Sequence, residues 1–111
     1  NLHYYMSIIE YNHIGGDELD FIEIFKALGD ENRIRILNLL IREELCVCEI
    51  ETMLGMTQSN ASRHLNKLKS AGIITSDKKS QWVYYGVNNE FIKENNLLYE
   101  FLKNKIIPKR C

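Results

Sequence analysis

Residues 57–72 read TQSNASRHLNKLKSAG, and their pattern predicts one helix with two unlike faces. Thr57 is placed to cap it, because a threonine hydroxyl accepts one of the orphan N–H groups of a first helical turn. Ala61, Leu65 and Leu68 recur at helical spacing and form one buried stripe. Gly72 stands where a helix stops. The other face carries Gln58, Ser59, Asn60, Ser62, Arg63 and Lys67, and the segment holds no Asp or Glu. Amide, hydroxyl and guanidinium groups are those that bond to base edges and phosphates. His64 has two readings: support for a base or phosphate contact, or a half-buried structural histidine. Taken alone, the polar face is better read as an ordinary solvated surface, and the flanking segments change that balance.

Upstream, Glu43-Glu44 opens a short helix, Leu45–Leu54, with Val47, Ile50, Met53 and Leu54 as its buried stripe and Gly55 as its end. A short helix, a glycine turn and a second helix with a polar outer face make a helix-turn-helix. Downstream, Ile73-Ile74-Thr75 suits a strand, Asp77-Lys78-Lys79-Ser80 a polar turn, and Trp82 to Val87 a returning strand. A hairpin after a reading helix is the wing of a winged helix, and Lys78 and Lys79 at its tip would lie on the phosphate backbone.

The outer segments read as helices. Leu2–Asn12 is apolar and aromatic, a pattern that suits a helix or a strand and is read as a helix, and the Gly15-Gly16 pair breaks the chain after it. Asp17 caps a helix whose Leu19, Ile22, Phe25, Ala27 and Leu28 face inward, closed by Gly29. Asp30 caps the next, with Ile34, Leu37, Leu40 and Ile41 buried. Its Arg33, Arg35 and Arg42 meet either acidic neighbours or DNA phosphates. Asn88 or Asn89 caps a last helix carrying Phe91, Ile92, Leu97, Leu98, Phe101, Leu102, Ile106 and Ile107, stopped by Pro108. So wide an apolar side, packed on its own chain alone, would leave an exposed patch. It is therefore read as a dimer interface, with residues 1–16 as its helical partner and residues 17–111 as the DNA-binding domain. The expected fold is mainly α, with a two-stranded hairpin wing, and dimeric.

With 111 residues, 45% hydrophobic and a single proline, the chain is one small domain. Its net charge of −1 is unevenly spread: −7 over residues 1–56, +4 over 57–84 and +2 over 85–111. The local basic patch matters more than the total for a nucleic-acid partner. Three cysteines argue against a disulfide framework and for a reducing, cytoplasmic setting. No apolar run approaches the ~20 residues of a membrane span. No phosphate-binding glycine loop, metalloprotease helix or nucleophile–base pair points to an enzyme.

Cys46 and Cys48 form a C-x-C before the reading helix. Both lie on the expected Leu45–Leu54 helix, where residues two apart point about 200° from each other, so holding both sulfurs on one ion would deform its first turn. Thiolates select soft metals and metalloids. A helix N-terminus favours the thiolate, whereas Glu43, Glu44, Glu49 and Glu51 oppose it. The plainer alternative is a core cysteine beside an incidental surface one.

FKALGDENRIRILNLL (25–40), ELCVCEIETMLGMTQSNASRHLNKLKSAGII (44–74) and WVYYGVN (82–88) together resemble the ArsR/SmtB family of winged-helix metal-sensing repressors. The resemblance covers roughly residues 19–88. It implies a homodimer on palindromic double-stranded operator DNA that leaves when metal binds. It implies operator contacts at Gln58, Ser59, Ser62 and Arg63, and metal thiolates at Cys46 and Cys48. In arsenical sensors of this type a third cysteine lies three residues past the pair; here that position is Glu51, leaving Cys111, a solvent thiol or a two-coordinate site. The cadmium/lead branch uses N-terminal cysteines, and residues 1–16 offer only His3 and His13. The zinc-sensing positions hold Asn89, Phe91, Leu102 and Lys105, which cannot make that site. The expected effector is arsenic(III) or antimony(III). The rivals are a cadmium, lead or oxidant sensor on the same fold, and a winged-helix protein-interaction module without an operator.

Overall fold

The computed structural model describes residues 20–106. The expectations for residues 1–16, for Asp17 and Leu19, and for Ile107 to Cys111 lie outside them. The elements are α1 (Asp20–Leu28), α2 (Glu31–Arg42), β1 (Leu45–Cys46), α3 (Val47–Leu54), α4 (Gln58–Ser70), β2 (Ile74–Lys79), β3 (Trp82–Val87), α5 (Asn89–Glu94) and α6 (Asn96–Ile106).

The caps fall where side-chain chemistry puts them. Asp30 accepts from the amides of Asn32 (2.8 Å) and Arg33 (3.1 Å) to start α2. Thr57 Oγ1 accepts from Asn60 N at 3.2 Å to start α4. Gly55 and Gly72 adopt φ of 64° and 77°, the left-handed region where a side chain is strained, and reverse the chain after α3 and α4. After α4, Ile73 N bonds Leu68 O and Gly72 N bonds Lys69 O, the paired closure of a Schellman ending.

One core ties these elements together. Ile24 and Ala27 of α1, Ile36, Leu37 and Leu40 of α2, Ile50 of α3, and Ala61, Leu65 and Leu68 of α4 are buried. Leu45, Ile73, Ile74, Phe91 and Leu102 complete it. Each fully buried aliphatic side chain contributes about 1.5–3 kcal/mol of hydrophobic stabilisation. The helix-turn-helix of α3 and α4 is thus held by its apolar side, leaving the other side of α4 to solvent. Among the described residues no helix is long and apolar enough to cross a membrane.

The mainly helical winged fold agrees with the sequence; several details correct it. Leu45 and Cys46 are not the first turn of a helix. They form a short strand antiparallel to β3, with Leu45 opposite Tyr85 and Cys46 opposite Tyr84. The sheet therefore has three strands in the order β1-β3-β2, and the wing strand β3 is central. β2 runs on through Asp77-Lys78-Lys79 to pair Lys79 with Trp82, so the turn is only Ser80-Gln81. Ser80 takes φ 61°, as the first residue of a tight hairpin turn requires. The last helix is two, broken at Asn95 (φ −127°, ψ 45°), where adjacent asparagines compete with the helical ladder. Ile22, Phe25 and Met53 were expected inside and are exposed, because Ile24, Ala27 and Ile50 occupy the inward positions of their helices.

Candidate nucleic-acid interface and thiol site

On α4, Gln58, Ser59, Asn60, Arg63 and Lys67 are exposed and Ser62 is partly so. Asn66 joins them, a residue missed in the sequence although it lies at helical spacing from Ser62 and Arg63. Arg63 Nη2 donates to Asn60 Oδ1 at 3.2 Å, which holds the guanidinium along the face. Lys69 Nζ donates to Ser76 Oγ at 2.7 Å, fastening the end of α4 to the hairpin. Beyond the hairpin, Asn88 Nδ2 donates to Gly72 O at 2.9 Å, tying the chain after β3 to the turn that follows α4.

His64 departs from that face. The residue is 2% exposed, so its ring cannot touch a base or phosphate while α4 keeps this orientation. It sits one residue past Arg63, on the side of Leu65 and Leu68. Burial pushes its pKa below the ordinary imidazole value, against the opposing pull of Asp30.

The two wing lysines differ. Lys78 is exposed. Lys79 Nζ donates to Glu44 Oε2 at 2.6 Å and lies 5.5 Å over the Tyr84 ring. Glu44 raises its pKa, first by that hydrogen bond and then by charge. Gly86 lets Glu44 in: a Cβ there would meet Glu44 Cγ at 3.2 Å.

Cys46 and Cys48 occupy different environments. Cys46 is buried, extended (φ −84°, ψ 165°), and stands at the N-cap of α3. Its N–H donates to Glu49 Oε1 at 3.1 Å while its sulfur faces the Glu49 amide, a capping box with sulfur where Ser or Thr usually stands. The C-x-x-E spacing carried that signal and was missed. Burial pushes the Cys46 thiol up and the Glu49 carboxylate adds to this, against the backbone amides of Glu49 and Cys48. Cys48 is exposed in the first turn of α3, and its carbonyl accepts from Thr52 Oγ1 at 3.0 Å. Because Cys46 lies in the extended backbone before the helix, the 200° separation does not apply to this pair. Cys111, the third candidate sulfur, lies outside the described residues. Among the described residues, no three His, Cys, Asp or Glu side chains converge to hold a metal ion.

A helix-turn-helix with a tethered hairpin, an acid-free outer helix face and two cysteines at the start of the supporting helix defines a class of DNA-binding regulators. Residues 30–76 match the bacterial regulatory protein, arsR family. The chain is 47% identical over 68 residues to an arsenic resistance transcriptional regulator of Pseudomonas putida, covering 60% of this chain and 53% of that protein. It is 44% identical over 75 residues to a cadmium resistance transcriptional regulatory protein of Listeria innocua, covering 67% and 61%. It spans between about half and three-fifths of the length of these two relatives. With the arsenical resistance operon repressor of Bacillus subtilis it shares 42% identity over 79 residues, covering 70% of this chain and 73% of that one. The homodimeric winged helix-turn-helix DNA-binding domain of Mb0332 from Mycobacterium bovis superposes with a TM-score of 0.67 at 25% identity, covering 88% of this chain and 95% of that one. This chain belongs to the arsR family of bacterial regulatory proteins.

Proposed function

We propose that the chain is a cytoplasmic, non-enzymatic repressor of metal resistance. It binds a palindromic operator as a homodimer and is released when arsenic(III) or antimony(III) engages Cys46 and Cys48. The dimer sets two α4 helices into successive major grooves about 34 Å apart. Gln58, Ser59, Asn60, Ser62, Arg63 and Lys67 contact bases and phosphates, and Lys78 holds the backbone.

One observation carries the coupling: Cys46 at once caps α3, which packs on α4, and pairs with Tyr84 in the wing. Two sulfurs suit a thiophilic ion, whereas a hard cation would need clustered oxygens. Cys46 and Cys48 would hold the ion, whose sulfur–metal bonds would compete with the Glu49 amide for the Cys46 sulfur. A third donor then comes from Cys111, of the same or the partner chain, or from a solvent thiol. Any displacement of Cys46 removes the cap of α3 or its pairing with β3, and so disturbs a DNA-contacting element. Since coupling is reciprocal, operator DNA weakens effector binding by the same factor.

A second reading, cadmium or lead as effector, is favoured by Glu51 standing at the third-cysteine position and by the likeness to the Listeria innocua regulator. The test is release of a labelled operator duplex by arsenite, antimonite, cadmium and lead, repeated on Cys48→Ser and Cys111→Ser. Release by arsenite that is lost in Cys48→Ser supports the first reading; release by cadmium alone replaces it with the second.

A further inference from the structure

The three arginines of α2 have separate fates. Arg42 is exposed. Arg35 pairs with Glu31 at 2.7 Å on the surface. Arg33 turns inward and uses every nitrogen of its guanidinium. Nε donates to Ala27 O at 2.6 Å and Nη2 to Lys26 O at 3.2 Å, the carbonyls that close α1. Nη1 lies 3.3 Å from Nδ1 of His64, and Asp30, the cap of α2, stands 4.0 Å from the same Nη1.

We infer that Arg33 is a positioning residue for DNA binding: it braces the α1–α2 corner against His64 and so fixes the orientation in which α4 presents its polar face. The inference rests on the DNA-binding reading and adds to it a residue that touches no DNA. Arg33 has only protons to give, since a guanidinium stays charged in proteins. As a hydrogen bond, the contact with His64 requires Nδ1 to accept, and so a neutral ring with its proton on Nε2; Asp30 Oδ1, 3.9 Å from the same nitrogen, is the partner that a ring protonated at Nδ1 would take. The charged groups facing the ring are Asp30 and Arg33 at the corner and Arg63 on α4 itself. A ring protonated at Nδ1 would set N–H against N–H. Because His64 is adjacent to Arg63 and between the buried Ala61 and Leu65, a shift of its ring is a shift of the reading helix.

The test uses the whole chain and a fluorescein-labelled duplex selected from a random pool by the wild-type protein. Long-range 1H–15N NMR near neutral pH is expected to show His64 neutral with its proton on Nε2; a proton on Nδ1, or a charged ring, overturns the brace. Arg33→Met is expected to weaken duplex binding at least about tenfold, the size of a lost hydrogen bond from a charged donor. His64→Gln is expected to stay within about threefold of wild type, because its amide oxygen can still accept from Arg33, whereas His64→Leu is expected to bind as weakly as Arg33→Met. If Arg33→Met does not fold by circular dichroism, the His64→Gln and His64→Leu pair decides, and equal affinity of the two overturns the brace. Failure of the wild type to select any duplex would sink the DNA-binding reading instead; selection followed by undiminished binding in Arg33→Met sinks the brace alone.

Discussion

Cys46 has two duties that a substitution can separate. At the N-cap of α3 its sulfur stands where a hydroxyl usually caps, and serine is the better residue for that role. Cys46→Ser should therefore keep the urea midpoint of wild type or raise it, while losing release of the operator by effector. Cys46→Ala removes the cap acceptor and should lower stability by about 1 kcal/mol. His64 gives the molecule a pH signature. Its folded pKa is depressed by burial, so between that value and the unfolded value near 6.5 the unfolded chain binds more protons. Stability is full above the unfolded pKa and falls as pH drops through it, by at most about 1.4 kcal/mol per pH unit from this one group. Urea unfolding at a series of pH values should show this acid loss in wild type and a weaker one in His64→Gln.

At the scale of elements, the hairpin sorts its two lysines. Lys78→Ala should lower the salt-dependence slope of DNA binding by about 1, the release of one counterion. Lys79→Ala should lower it less, because its ammonium already has Glu44 as a partner. Arg63→Ala and Gln58→Ala should cut discrimination between selected and random duplex while effector binding persists. Titrations from low to physiological salt check all four. The α4 helix was legible because cap, stripe and stop coincide within sixteen residues. The exposed side of the candidate interface followed from that stripe, apart from Asn66 and the inward His64. A strand of two residues has no period to read, so β1 was merged with the helix it precedes. The tight turn at Ser80-Gln81 was hidden because Asp77-Lys78-Lys79 looks like loop and is held in a strand only by pairing with Tyr84, Val83 and Trp82. Arg33 was left between two partners in the sequence, and only the folded α1–α2 corner brings Ala27 O, Lys26 O and His64 within its reach.

At the scale of the whole molecule, the apolar surface is concentrated on α1 and α6. Phe21, Phe25, Leu97 and Phe101 are each more than half exposed, Leu97 at 86%. Phe21 and Phe25 meet edge to face with ring centroids 6.3 Å apart. This exposed apolar cluster is the face that the proposed homodimer would bury. Leu97→Glu should leave helical content unchanged, since the side chain buries almost nothing within its own chain. It should shift sedimentation toward the monomer and weaken binding to a palindromic duplex by roughly tenfold or more, as two linked half-sites become one. Normal dimerisation of this variant would move the interface elsewhere.

The short strand β1 has one more consequence. β3 is bonded on both flanks, to β2 along its length and to Leu45-Cys46 over two residues. Exchange of backbone amides with deuterated water is slow only while such pairing lasts. Loss of the Cys46 edge should speed exchange in Leu45, Cys46, Tyr84 and Tyr85 and leave the Lys78–Val83 half of the hairpin unchanged. Mass-resolved uptake over that strand would then register events at the sulfur in the free protein, with neither duplex nor fluorophore present.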